Sequence, residues 1–451
     1  MAPESRKLDL ASTDAGRWFA VAVGSIAVAG SFALYLAVAR IPGLETLLIP
    51  DPKFGWRALI VHVNLALGVW FSAFTAGLFC LLPGATRVRV TPLAQILAVV
   101  GVIAFSATLF VESAEPVRSN YVPALDHWLF LFGIGLFGAA IGLGFFDPRM
   151  IRSTLPSQIP ADAQAGLRAA AIAYLAAMAT FGAAWATQPQ GLLPLAYYER
   201  VFWGGGHLLQ FANVLAMVGA WLFLLSKTLG RPVLKASLSA ILATLLLLPC
   251  LSGPVVVLAD GSPQVFTELM RWGIFPAVSA FIVLCAHALW RARGSLAKGA
   301  LRSAAFVGFL TSACMTVAGF ILGSLIRDNN TLVPGHYHMS IGAVTAAFMA
   351  ALIVLLEPLG APLPTARLRS LAVWQPLLFG GGQAVMAIGF AIAGVAGAER
   401  KAYGSEQVVR STGEWIGLSI MGLGGVLASV GGVVFLVLVA KAYLHRRKSA
   451  H

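Results

Sequence analysis

The sequence predicts an all-α membrane protein of about twelve transmembrane helices, forming a single transmembrane domain over residues 1–451. Three observations lead there. Apolar residues make up 59% of the chain and charged residues 11%, against about 25% charged in an average soluble domain. The charges cluster between long apolar stretches, each reaching the roughly 20 residues that a helix needs to cross the hydrocarbon layer. Those stretches are continuous rather than alternating, which selects helices over a closed barrel as the way to satisfy the backbone in lipid.

In chain order the apolar stretches predict helices near 17–40, 57–82, 91–111, 124–145, 167–187, 201–226, 233–258, 265–290, 301–326, 335–357, 372–397 and 412–442. Gly and Pro inside them are tolerated as in membrane helices generally. The first residues, MAPESRKLDLASTDAGRW, are polar and charged and do not read as a cleaved signal peptide. Cys80, Cys250, Cys285 and Cys314 lie singly in apolar stretches with no Cys-x-x-Cys, so neither a zinc motif nor covalent c-type haem attachment is expected.

The formal charge of +13 does not point to nucleic acid, because the basic residues sit in short loops on one side. That side carries Arg6, Lys7, Arg17, Arg87, Arg89, Arg149, Arg152, Lys227, Arg231, Lys235, Arg291, Arg293, Lys298, Arg302, Arg367, Arg369, Arg446, Arg447 and Lys448. The opposite loops carry fewer: Arg40, Lys53, Arg57, Arg118, Arg200, Arg271, Arg327, Arg400 and Lys401. The positive-inside rule then places both termini in the cytoplasm and starts every even-numbered helix at the outer face.

That orientation gathers the histidines. His62 lies near the start of the second helix, His127 of the fourth, His207 of the sixth, and His336 and His338 of the tenth. At about 1.5 Å per residue they are expected at a similar outer depth, and ionisable groups inside a membrane usually serve a function. His336 and His338 stand two apart, so they point about 200° from each other around the helix. Two groups flanking the helix suit that geometry, and a single metal does not.

The segments WRALIVHVN, YVPALDHWLF, FWGGGHLLQF and VPGHYHMSIG resemble the main subunit of the haem-copper oxidase superfamily, which includes cytochrome oxidases and nitric oxide reductases. The resemblance extends over nearly the whole chain. It implies His62 and His338 as axial ligands of a low-spin haem, His336 as proximal ligand of a second haem, and His207 as a distal-metal ligand on the far side of that haem. The outer loop GAERKAYG resembles the family's basic pair for haem propionates, implying that role for Arg400 and Lys401. His127 matches a family segment but no ligand position, which leaves it a structural or hydrogen-bonding role.

The chain departs from the family in its seventh helix, which has no histidine where the family has an adjacent pair. Matching LSGPVVVLADG at Asp260 puts Val255 and Val256 there, and valine offers a metal no donor. Phe211 stands where relatives carry a tyrosine or a glutamate. No acidic or lysine relay marks a proton path from the cytoplasm, and Thr311, Ser312 and Thr316 read as packing hydroxyls.

The expectation is a haem-binding subunit with two non-covalent haems of b type and no copper, moving electrons within a respiratory complex. Its partners would be lipid and, on the periplasmic side, a cytochrome c or a c-type or copper-bearing subunit, in a bacterial or archaeal inner membrane. One alternative is an oxidase or reductase of a small gas, or of an oxidised nitrogen or sulfur species, at an open second haem, with His207 as its catalytic residue. Another is a secondary transporter, for which an internal repeat would be needed.

Overall fold

The computed structural model describes residues 3–49, 51–83, 90–119, 122–150, 157–400, 402 and 404–449. Arg87, Arg89, Arg152 and Lys401 lie outside them, and the side chains of Arg6, Lys7, Arg447 and Lys448 are likewise not described. Among the described residues twelve helices are long and apolar enough to cross a membrane. They are α1 (Pro3–Val38), α2 (Pro52–Cys80), α3 (Val90–Ala107), α4 (Trp128–Phe145), α5 (Ala161–Ala186) and α6 (Pro194–Leu229). The remainder are α7 (Ala236–Leu258), α8 (Gln264–Ala292), α9 (Ala304–Leu325), α10 (Leu332–Leu355), α11 (Ala366–Val395) and α12 (Thr412–Ser449).

Where helix ends differ from the expectation, local chemistry explains it. Asp51 accepts from the amides of Lys53 (2.9 Å) and Phe54 (3.2 Å), and Pro52 occupies the first helical position, where no N–H is needed. α2 therefore begins before the apolar run does. Pro194 starts α6 early in the same way. His62 and His207 consequently lie further along their helices than counting from the apolar runs suggests, so equal depth does not follow from that count. Residues 124–126 correct the expected start of the fourth helix. Ala124–Asp126 forms a strand, β2, antiparallel to β1 (Glu115–Val117), and α4 starts only after His127.

α7 breaks at Ser252, between Ala236–Leu251 and Gly253–Leu258. Pro249 and Pro254 each remove a backbone donor there. A Cβ on Gly253 would lie 2.7 Å from the Thr180 hydroxyl of α5 and collide with Leu208 of α6, so only glycine allows this approach.

The chain falls into two compact units, Met1–Ser25 with Val63–Ser295 and Ile26–His62 with Leu296–His451. In the first, α3 packs on α4, α5 packs on α6 and α7, and α8 packs on α6. In the second, α10 lies between α9 and α11, and α11 pairs with α12. Ser312 donates from α9 to the Ala343 carbonyl of α10 at 2.7 Å, and Thr316 donates to the Ser312 carbonyl at 2.9 Å.

The α11–α12 pair is the tightest in its unit and is built on glycines seven residues apart. A Cβ on Gly382 or Gly389 of α11 would collide with the backbone of Ala428 or Met421, respectively. A Cβ on Gly417, Gly424 or Gly431 of α12 would collide with the backbone of Ala393, Met386 or Phe379. All five pairs belong to one antiparallel register. Without a hydrophobic effect between helices in lipid, close backbone approach supplies the packing energy. Gly389→Ala and Gly424→Ala are therefore expected to cost about 1–3 kcal/mol by overpacking and to lower the unfolding temperature in detergent. Gly381→Ala and Gly432→Ala, which meet nothing within 4 Å, should leave it unchanged. Equal effects in both pairs would contradict this register.

Candidate functional site

α10 presents the motif VPGHYHMSIG. Asn330 caps the helix by accepting from the Leu332 amide at 3.0 Å. Thr331 ties its start to α11 by donating to the Phe390 carbonyl at 2.9 Å.

His336 and His338 take different neighbours, as their spacing predicts. His336 turns to α9, where its Nδ1–H donates to the Gly319 carbonyl at 2.8 Å, with Ser340 Oγ at 3.3 Å. Room for the ring comes from Gly323, whose Cβ would lie 2.8 Å from it. His338 turns to α11, where its Nδ1–H donates to Gln383 Oε1 at 2.9 Å. Phe390, also on α11, stacks on the His338 ring with centroids 5.5 Å apart and planes 23° apart.

His62 belongs to the same unit. Its Nδ1–H donates to the Ala29 carbonyl of α1 at 2.8 Å. A π-helical turn, Asn64–Val69, begins two residues later, a distortion often found near functional residues.

The three acceptors cannot donate, so each Nδ1 carries the hydrogen and each Nε2 keeps a lone pair. No Nε2 of the three makes a hydrogen bond to a described residue. Neutral imidazoles oriented through Nδ1, each with a free Nε2, are the donor set that iron in haem takes.

Arg400 lies over the Tyr337 ring, its guanidinium carbon 5.5 Å from the centroid, and donates to Asn329 Oδ1 at 3.2 Å. Its expected neighbour in function, Lys401, lies outside the described residues.

His207 belongs to the other unit. It is 4% exposed, and its Nδ1–H donates to the Trp203 carbonyl at 2.7 Å. The rings of Trp203 and of Phe266 from α8 lie 4.8 and 6.3 Å from it. Phe211 is fully buried against α8, where a Cβ on Gly273 would meet it at 2.8 Å. Val255 is exposed and Val256 half-buried on the last turn of α7. His127 caps α4 by accepting from the Leu129 amide at 3.2 Å, a structural task. Among the described residues no group of three His, Cys, Asp or Glu side chains is placed to hold a metal ion.

Sequence reasoning missed three residues here. Gln383 and Phe390 sit in α11, where the isolated amide in FGGGQAVMA was the available signal. Arg40 reads as a loop cation, yet it is 4% exposed. It donates to Gln407 Oε1 and to the Glu399 carbonyl, both at 3.1 Å, and its guanidinium lies 5.8 Å from the Phe390 ring centroid.

The profile of the family described as "Cytochrome C and Quinol oxidase polypeptide I" matches residues 15–434. An uncharacterized protein of Aquifex aeolicus (strain VF5) is 28% identical over 346 residues, 76% of this chain and 84% of its own. An uncharacterized protein of Rickettsia prowazekii (strain Madrid E) is 25% identical over an alignment spanning 95% of each chain. Among solved structures, a cryo-EM structure of a haem-copper terminal oxidase dimer superposes with a TM-score of 0.65 at 19% identity, covering 95% of this chain and 84% of the other.

Proposed function

Since the chain belongs to the cytochrome c and quinol oxidase polypeptide I family, we propose that it is a haem-carrying subunit of a respiratory complex in which His62 and His338 hold one low-spin haem and His336 holds a second. It is an integral membrane protein of the haem-copper oxidase superfamily, and that family implies haem. The observation that carries the finer reading is the set of three imidazoles, each fixed through Nδ1 by a different helix and each left with an uncommitted Nε2.

When bound, haem supplies reversible one-electron chemistry. The chain's own residues position it. α1 and α11 set the planes of His62 and His338, α9 sets the plane of His336, and Arg400 offers a propionate a guanidinium already braced by Tyr337 and Asn329. Lys401 is assigned beside it by the family resemblance alone.

Haem of b type, a single transmembrane domain, cytoplasmic termini in a bacterial or archaeal inner membrane, and a periplasmic cytochrome c or a c-type or copper-bearing partner subunit complete the proposal. Copper is not expected, because α7 carries no histidine and its last turn offers Val255 and Val256. The family match over residues 15–434 favours this reading over a carrier.

His207 supports a second reading. Its ring is held by a carbonyl of its own helix and enclosed by Trp203 and Phe266. The resemblance alone assigns it to the distal side of the second haem. On this reading that haem stays open to a small gas or to an oxidised nitrogen or sulfur species.

Replacing His62 or His338 with Ala should abolish a bis-histidine spectrum while the protein still inserts; unchanged spectra in both variants would sink the assignment. Metal analysis of the purified protein should find iron without stoichiometric copper. Carbon monoxide should bind the reduced wild-type protein rapidly at one haem. Binding in His207→Ala but not in wild type would instead make His207 an iron ligand.

A further inference from the structure

We propose that Gln383 is the positioning residue for His338: its amide oxygen fixes the tautomer and ring plane of that ligand and thereby tunes the bound low-spin haem. The inference rests on His338 being a haem ligand.

The three ligand imidazoles differ in what holds them. His62 and His336 donate to backbone carbonyls, at Ala29 and Gly319, whose positions follow from the helices that own them. His338 alone donates to a side chain. A glutamine within an apolar helix loses hydration and rotamer freedom, so it needs a partner. The hydrogen bond to His338 is the only one that the Gln383 side chain makes to described residues.

The surroundings favour that one contact. Gly342 stands opposite on α10, and a Cβ there would lie 3.6 Å from Gln383 Cγ. An alanine there would make only ordinary contact with the glutamine, so Gly342 adjoins Gln383 without being required for its hydrogen bond. Phe390 lies two turns further along α11 on the same face and covers the flat side of the ring. α11 thus grips His338 at its edge through Gln383 and at its face through Phe390.

The chemical consequence has a sign. An acceptor on Nδ1–H raises the electron density that Nε2 gives to iron, and so favours the ferric state. Removing the acceptor lifts the midpoint potential of the low-spin haem, by about 59 mV for each tenfold change in the relative affinities of the two oxidation states. It also frees the ring to rotate, which changes the g-values of a bis-histidine centre.

The test is redox titration and electron paramagnetic resonance of the purified full-length protein with its haem. Gln383→Leu should raise the midpoint and shift the low-spin g-values. Gln383→Glu, which keeps an acceptor, should hold the midpoint or lower it. Gln383→Met, close to isosteric and without a strong acceptor, reads the same shift as leucine should the leucine variant fail to assemble. His338→Ala is run in parallel. If it leaves the low-spin signal intact, the ligand reading fails and this inference falls with it. If it removes the signal while Leu and Met at position 383 keep wild-type g-values and midpoint, Gln383 is a packing residue and the inference alone is overturned. A rise in the Glu variant equal to that in Leu would overturn it as well.

Discussion

An imidazole inside a membrane helix must give its N–H to something, because lipid offers no acceptor. Much of the second unit is arranged around that requirement. Ala29, Gly319 and Gln383 each receive one Nδ1–H, and in doing so they decide which way His62, His336 and His338 face. Each acceptor comes from a different helix, so the three rings are fixed by the packing of α1, α9 and α11 around α2 and α10.

The packing must therefore be close where the rings are, and small residues make it so. Gly319 and Gly323 open a face of α9 to His336 and Ser340. Gly342 of α10 makes space for Met315 of α9. On its other side α11 is held against α12 by five glycine contacts in a single register. That pairing fixes the height of Gln383 and Phe390, and through them the plane of His338. The α11 and α12 glycines are thus connected to His338 through the position of α11, whereas Gly319 and Gly323 meet His336 directly. In the first unit His207 meets a different environment, with its hydrogen bond inside its own helix and aromatic rings around it.

Much of this was legible in the sequence. Twelve apolar runs give twelve helices because each run alone satisfies the length rule, with no knowledge of its neighbours. The divergence of His336 and His338 needs only the geometry of one helix, so VPGHYHMSIG was sufficient. What involves two segments was not legible. The Ala29 carbonyl is indistinguishable in sequence from any other carbonyl of α1. The sevenfold glycine spacing is visible in each of α11 and α12, but the register that joins them is not. Arg40 reads as a solvated loop cation because its partners Gln407 and Glu399 lie more than 350 residues away. Residues 124–126 continue into the apolar run of α4, and only their pairing with Glu115–Val117 makes them a strand.

The central claim is that α10 serves two haems, one on each face. Haem content per chain in His336→Ala tests it most directly. The account predicts two haems per chain in the wild type and one in the variant, with the bis-histidine spectrum preserved. A wild type with a single haem per chain, or a variant that loses the bis-histidine spectrum along with its haem, would contradict it.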